Sequence, residues 1–339
     1  MINIVYRLKA PKFFEEAIDE IELDGVIVRP TYLSICQADQ RYYHGSRPAE
    51  VLEEKLPMAL IHEGIGEVVF DGEGSFKSGD AVVMIPNTPL DDDDVCRANY
   101  SYNSKFRGSG FDGFTSDLIK LESDRVLKIP DDFNPYVSSF IELISVAYQG
   151  ISKFDELAIT PKDTLGVWGD GNLGFITALL LKEKFPNSKV IVFGKHLDNL
   201  NLFSFADETY QIHTVPKDLK VDHAFECVGS SASQSAIDQI IDLINPQGII
   251  NLFGVSEYPI PVNTRMLLEK GITIQGNSRS EREDFVGVIE TLKQNPNLFE
   301  YLEKLVTNIC EISSLNDLKE AFDKDYVSNF GKTILKWNK

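Results

Sequence analysis

The chain has 339 residues, 43% hydrophobic and 25% charged, with 23 glycines. These are the proportions of a folded globular protein, and the length suits two domains better than one core. Its 52 acidic against 33 basic residues leave a formal charge of −19, which opposes binding to nucleic acid or to an anionic membrane. Cys36, Cys96, Cys227 and Cys310 are too scattered for a disulfide framework or a four-cysteine zinc knuckle. No apolar run approaches bilayer length and the opening stretch MINIVYRLKAPK lacks the core of a secretory signal, so a cytoplasmic protein is expected.

The first third reads as short strands: VIVRP from Val26, GIGEVVF from Gly64, and AVVMIP from Ala81 after the turn Lys77-Ser78-Gly79-Asp80. The adjacent carboxylates Asp91 to Asp94 repel one another and are expected in a solvated loop. Around Glu142, ELISVAYQGISKF changes to helical spacing. From Leu165 strands alternate with helices: LGVWG, a helix through FITALLLKEKF, KVIVFG, a helix near HLDNLNLFSFA, HAFECVG, a helix around SAIDQIIDLI, GIINLFGV and ITIQG. Residues 281–339 return to helices and close on KTILKW. The expected architecture is a mostly-β domain, 1–142 with 281–339, and a doubly wound parallel-sheet α/β (Rossmann) domain over 143–280.

Gly169-Asp170-Gly171-Asn172-Leu173-Gly174 lies between an apolar strand and an apolar helix. The first glycine allows the tight turn, the second lets backbone approach a pyrophosphate, and the third permits close helix packing, while Asn172 and Leu173 open the helix toward the anion. A dinucleotide site follows. An NAD site places an acid about 20 residues later, at the end of the second strand. Here that strand ends in Gly194, Lys195 and His196: space, a cation and a titratable ring. A ribose 2′-phosphate would find a charge partner there, so NADPH is the expected cofactor.

Cys36-Gln37-Ala38-Asp39 is followed 26 residues after its cysteine by His62-Glu63-Gly64. One thiolate, one imidazole and nearby carboxylates suit Zn²⁺. C-x-x-D, H-E-x-x-G, the Gly79-Asp80 turn and the downstream glycine turn together resemble the zinc-containing medium-chain dehydrogenases over almost the whole chain. That resemblance implies a GroES-like catalytic domain in front of the Rossmann domain. In the sorbitol-dehydrogenase-like branch a further glutamate opens a segment similar to Glu142-Leu143-Ile144-Ser145-Val146-Ala147. The resemblance therefore implies one catalytic zinc on Cys36, His62 and Glu142, with Glu63 either a fourth ligand or a carboxylate exchanging with water, and Asp39 orienting the histidine. Two departures stand out. Residues 87–110 contain only Cys96 where relatives carry four cysteines, so a structural zinc is not expected. Ala38 and Arg41 stand where the family places its proton-relay hydroxyl and histidine, leaving water, Glu63 or Tyr42 to supply the proton.

The blocks Cys36 to Tyr43, Lys55-Leu56-Pro57-Met58, Ser109 to Phe114 and Phe253 to Tyr258 are similar to those of one subfamily, the bacterial ribulose-5-phosphate reductases. This implies a phosphorylated ketose as substrate, reduced by hydride from NADPH to ribitol 5-phosphate for teichoic acid or capsule precursors. It also implies a homodimer or homotetramer and a ribitol-5-phosphate cytidylyltransferase as functional partner. Arg41 and Tyr42 are the first substrate-contact candidates, with Arg47, Arg107 and Arg279 behind them. The competing readings are an NAD-linked polyol or threonine dehydrogenase, which Lys195 disfavours, and a non-catalytic nucleotide-binding relative, which the intact Cys36, His62 and Glu142 disfavour.

Overall fold

The computed structural model describes residues 1–90, 96–328 and 330–339; the acidic run at Asp91 to Asp94 lies outside the described residues. The chain divides into two compact units, Met1–Ser145 with Arg279–Lys339, and Val146–Ser278. The helix Ile141–Leu157 begins in the first unit and continues into the second.

The first unit is built on a mixed sheet whose strands run, in order, Val126–Lys128, Ala81–Met84, Glu63–Asp71, Val26–Ser34, Lys332–Trp337 and Val306–Ile312. Val26–Ser34 lies at the centre, where its apolar residues bury on both faces. It pairs antiparallel with Glu63–Asp71 on one side and with Lys332–Trp337 on the other. Ser34 therefore stands opposite both Glu63 and Ile334. This brings the C-terminal strand beside a segment some 270 residues earlier, read directly from Lys332 and Glu63, 269 positions apart. A second, antiparallel sheet of Ile2–Ala10, Phe13–Glu20 and Met58–Ala59 closes over the same core. That core includes Leu33, Tyr43, Leu60, Phe114 and Phe322.

The second unit is a six-stranded, wholly parallel sheet ordered Glu208–Gln211, Lys189–Gly194, Thr164–Trp168, His223–Glu226, Ile249–Leu252 and Thr273–Gly276. The chain order along the sheet reverses at Thr164–Trp168, and in such sheets ligands bind beyond the carboxyl ends of the strands at the reversal. Strands buried on both faces read as continuous apolar runs, as KVIVFG does, and Trp168 stacks on Phe193 with ring centroids 4.0 Å apart.

One expected helix is largely absent. HLDNLNLFSFA forms only the turn Leu197–Leu200. Phe203 and Phe205 both pack on Phe175, each at 5.0 Å, and residues two apart on a helix do not share a face. The chain instead follows successive tight turns, with the amides of Phe203 and Ala206 donating to Leu200 and Phe203. Two further strands, Glu208–Gln211 and Val306–Ile312, have too many polar positions to stand out in the sequence. Among the described residues, no helix is long and apolar enough to cross a membrane.

Candidate active site

Cys36, His62 and Glu63 bring one thiol, one imidazole nitrogen and one carboxylate oxygen within 4.8 Å of one another. Cys36 precedes the helix Gln37–Tyr43, and His62-Glu63 enters the strand Glu63–Asp71. Asp39 ties the two segments together. Its Oδ2 accepts from the amide of Cys36 at 2.9 Å and its Oδ1 from the amide of Ile61 at 3.0 Å. The same Oδ1 lies 3.6 Å from His62 Nδ1. Asp39 is fully buried, so these contacts are not diluted by solvent. Ile61 sits at φ 69°, a region that a β-branched residue adopts only when its surroundings impose it. The Asp39 bond to its amide and the Phe114 amide donating to its carbonyl at 2.8 Å supply that constraint. The strained residue directly precedes His62 and sets its direction.

Lys332 approaches Glu63 from the C-terminal strand, with Nζ 2.8 Å from Oε1 and 2.7 Å from Oε2. Glu63 is 0% and Lys332 2% exposed. The hydrogen bond goes to Oε1; Oε2 has ion-pair contact but no hydrogen bond of acceptable geometry. His62 Nδ1 is likewise buried without a hydrogen bond. A thiol sulfur, an imidazole nitrogen and a carboxylate oxygen at this spacing are a ligand set that suits zinc.

The ionisable groups of the site perturb one another strongly. Burial alone would lower the pKa of His62, but Asp39 and Cys36 raise it well above the usual value. Lys332 is buried, yet Glu63 and Cys36 hold it above the usual lysine value. Burial pushes Glu142 up to about 7, with His62 opposing and Glu63 adding to the rise.

Glu142 is buried near the start of its helix and feels these charges, but it is not part of the three-residue cluster. Arg41 is half-buried on the helix behind Cys36. Tyr42 is 1% exposed within the core, its hydroxyl directed at the Ser109 carbonyl at 3.5 Å and its ring covered by Arg47 at 4.9 Å. Arg107 donates to the carbonyls of Asp112 and Lys120. Arg279 lies over Phe106 at 4.9 Å, and Phe106 packs against His62 with centroids 5.2 Å apart.

In the other unit, Gly169 takes φ 128° and Gly171 precedes the helix Asn172–Lys184. A Cβ on Gly174 would lie 2.0 Å from the Gly169 carbonyl oxygen, so the third glycine is required for the helix to pack on the turn. Lys195 and His196 follow the second strand, and their amides donate to Asp170.

Residues 22–131 match the alcohol dehydrogenase GroES-like domain and residues 200–294 the zinc-binding dehydrogenase domain. The chain is 51% identical over 339 residues to a ribulose-5-phosphate reductase of Bacillus spizizenii, and 51% identical to ribulose-5-phosphate reductase 1 of Staphylococcus aureus, covering 99% of each chain in both cases. The chain belongs to the ribulose-5-phosphate reductase family. The solved structure of S. aureus TarJ in complex with NADPH superposes on all of it with a TM-score of 0.90 at 48% identity, covering 100% of both chains. Membership of this reductase family carries the GroES-like plus Rossmann architecture and the zinc-binding dehydrogenase class with it.

Lys332 is the site residue that sequence reading of this reductase-family chain misses, because a lysine opening KTILKW looks like any strand-edge cation. Asp39→Asn is expected to lower zinc affinity by about 10–100-fold, the usual cost of losing a partner that orients a ligand. Zinc retained against a competing chelator measures it, and unchanged retention would show that Asp39 does not organise the centre.

Proposed function

We propose that this chain reduces D-ribulose 5-phosphate to D-ribitol 5-phosphate with NADPH at the centre formed by Cys36, His62 and Glu63. The convergence of those three side chains from two segments tied by Asp39 carries the reading, and 51% identity to named reductases supports it. When bound, zinc supplies a Lewis acid for the C2 carbonyl and NADPH supplies the hydride.

Cys36, His62 and Glu63 hold the metal, with Glu142 as the further ligand and Asp39 fixing the two ligand-bearing segments. Lys332 shares the charge of Glu63 and tempers its donation. Ala38 has no hydroxyl and a guanidinium at Arg41 does not release its proton; the Tyr42 hydroxyl is turned to Ser109. Water or Glu63 is left as the source of the proton that completes the C2 hydroxyl. Arg41 and Arg279 are the cations for the substrate phosphate, Arg279 having the support of its contact with Phe106 against His62.

The turn Gly169, Gly171, Asn172, Leu173, Gly174 cradles the cofactor pyrophosphate, and Gly194, Lys195 and His196 receive the 2′-phosphate. Residues 1–142 with 281–339 form the catalytic domain and 143–280 the cofactor domain. The enzyme works in the cytoplasm as a homodimer or homotetramer, and its product passes to a cytidylyltransferase that makes CDP-ribitol for poly(ribitol phosphate) teichoic acid.

Steady-state oxidation of NADPH over a panel of ketoses, each with and without a 5-phosphate, tests the reading. Ribulose 5-phosphate should exceed ribulose in kcat/KM by about tenfold or more, one charge-assisted contact's worth. Arg41→Ala and Arg279→Ala should narrow that ratio while sparing NADPH binding. Equal use of the two sugars by the unmodified enzyme would overturn the substrate assignment.

A further inference from the structure

The proposed NADPH site contains a carboxylate that its sequence pattern does not announce. Asp170, between the first two glycines of the turn, directs its side chain across to the end of the neighbouring strand. Its Oδ2 accepts from the Lys195 amide at 2.9 Å, the His196 amide at 2.5 Å and lies 3.1 Å from His196 Nδ1. The side chain is 14% exposed, against 52% for that of His196. Gly194 makes room for it: a Cβ there would lie 2.6 Å from Asp170 Cβ and 2.8 Å from Leu200 Cδ2. From the opposite side, Gln211 Nε2 donates to the Lys195 carbonyl at 3.2 Å.

The backbone of Lys195 is thus held at both its N–H and its C=O, while its ammonium makes no hydrogen bond or ion pair among the described residues. A cation on a tethered backbone loses less conformational freedom on meeting an anion than one on a free loop. A carboxylate at this place could act in either of two ways. It could repel a 2′-phosphate, as the acid of an NAD site does, or it could shape the loop that receives one. Two backbone N–H groups and the His196 ring nitrogen converge on a single oxygen, which disperses its charge and commits it to the loop rather than to a ribose.

Building on the NADPH reading, we propose that Asp170 is a positioning residue for cofactor selection: it fixes the Lys195-His196 segment as a preformed clamp for the 2′-phosphate of the adenosine ribose. Gln211 completes the clamp from the carbonyl side.

Calorimetric titration with adenosine 2′,5′-bisphosphate and with adenosine 5′-monophosphate tests this without any hydride chemistry. Asp170→Ala should weaken the bisphosphate by about tenfold and leave the monophosphate within roughly twofold, and Asp170→Asn, which keeps a neutral acceptor, should recover part of the loss. Gln211→Leu should give a smaller loss of the same selectivity, and it keeps the test informative if Asp170→Ala does not fold. Tighter bisphosphate binding by the Asp170 variants would overturn the proposal, making Asp170 an electrostatic opponent of the phosphate. Equal weakening of both nucleotides by Asp170→Asn and Gln211→Leu would overturn it too, reducing both residues to supports of the turn. Equal affinity of the unmodified protein for the two nucleotides is a different failure, that of the NADPH reading itself.

Discussion

Replacing Cys36 by serine is expected to strip the protein of zinc and to lower kcat/KM by about 10³-fold or more, equivalent to roughly 4 kcal/mol of transition-state stabilisation. The thiolate is the softest donor in the set, and a serine hydroxyl is a poor zinc ligand at neutral pH. The fold should survive. Cys36 is the residue preceding the helix Gln37–Tyr43, a position where serine is among the preferred residues. The segment is also held through the Cys36 amide, which donates to Asp39 and does not depend on the sulfur. Elemental analysis and thermal unfolding of the purified variant separate the two effects. Full zinc content together with full activity would remove Cys36 from the centre.

Lys332→Met is expected to destabilise the zinc-free protein by about 3–5 kcal/mol, because it leaves the Glu63 carboxylate buried without its counter-charge. The two side chains are among the most completely enclosed charged groups in the chain, at 2% and 0% exposure. The zinc-loaded protein should lose less, since the metal meets part of the Glu63 charge. Urea unfolding of both forms measures the difference. A zinc-free variant as stable as its parent would show that Glu63 takes up a proton or reaches water once Lys332 is gone.

These two residues mark how far the sequence could be read. Cys36 and Asp39 are three apart and His62 and Glu63 adjacent, so local spacing marked each pair, while their assignment to zinc came from the family resemblance. Lys332 meets Glu63 only because their strands flank Val26–Ser34 on either side in one sheet, and no local window contains that register. The parallel strands were legible as continuous apolar runs, whereas Val306–Ile312 alternates half-buried and exposed positions and gives no such signal. Helical spacing in residues 196–206 was misleading because Phe203 and Phe205 share one partner, Phe175. Tyr42 looked available beside Cys36, but the helix turns it into the core. Asp170 shows the same limit in the second unit: reading outward from the strand end at Gly194 finds no acid, while the turn after the neighbouring strand supplies one.

Hydride is expected to pass directly from NADPH to C2 of ribulose 5-phosphate. Running the reaction with NADPH deuterated at the transferable C4 position, and locating the label in the product by mass spectrometry and NMR, measures this. The expected product is ribitol 5-phosphate carrying a single deuterium on C2, formed by the zinc-loaded protein and not after chelation. Formation of ribitol 5-phosphate without the label at C2, or no turnover of this substrate by the zinc-loaded protein, would contradict it.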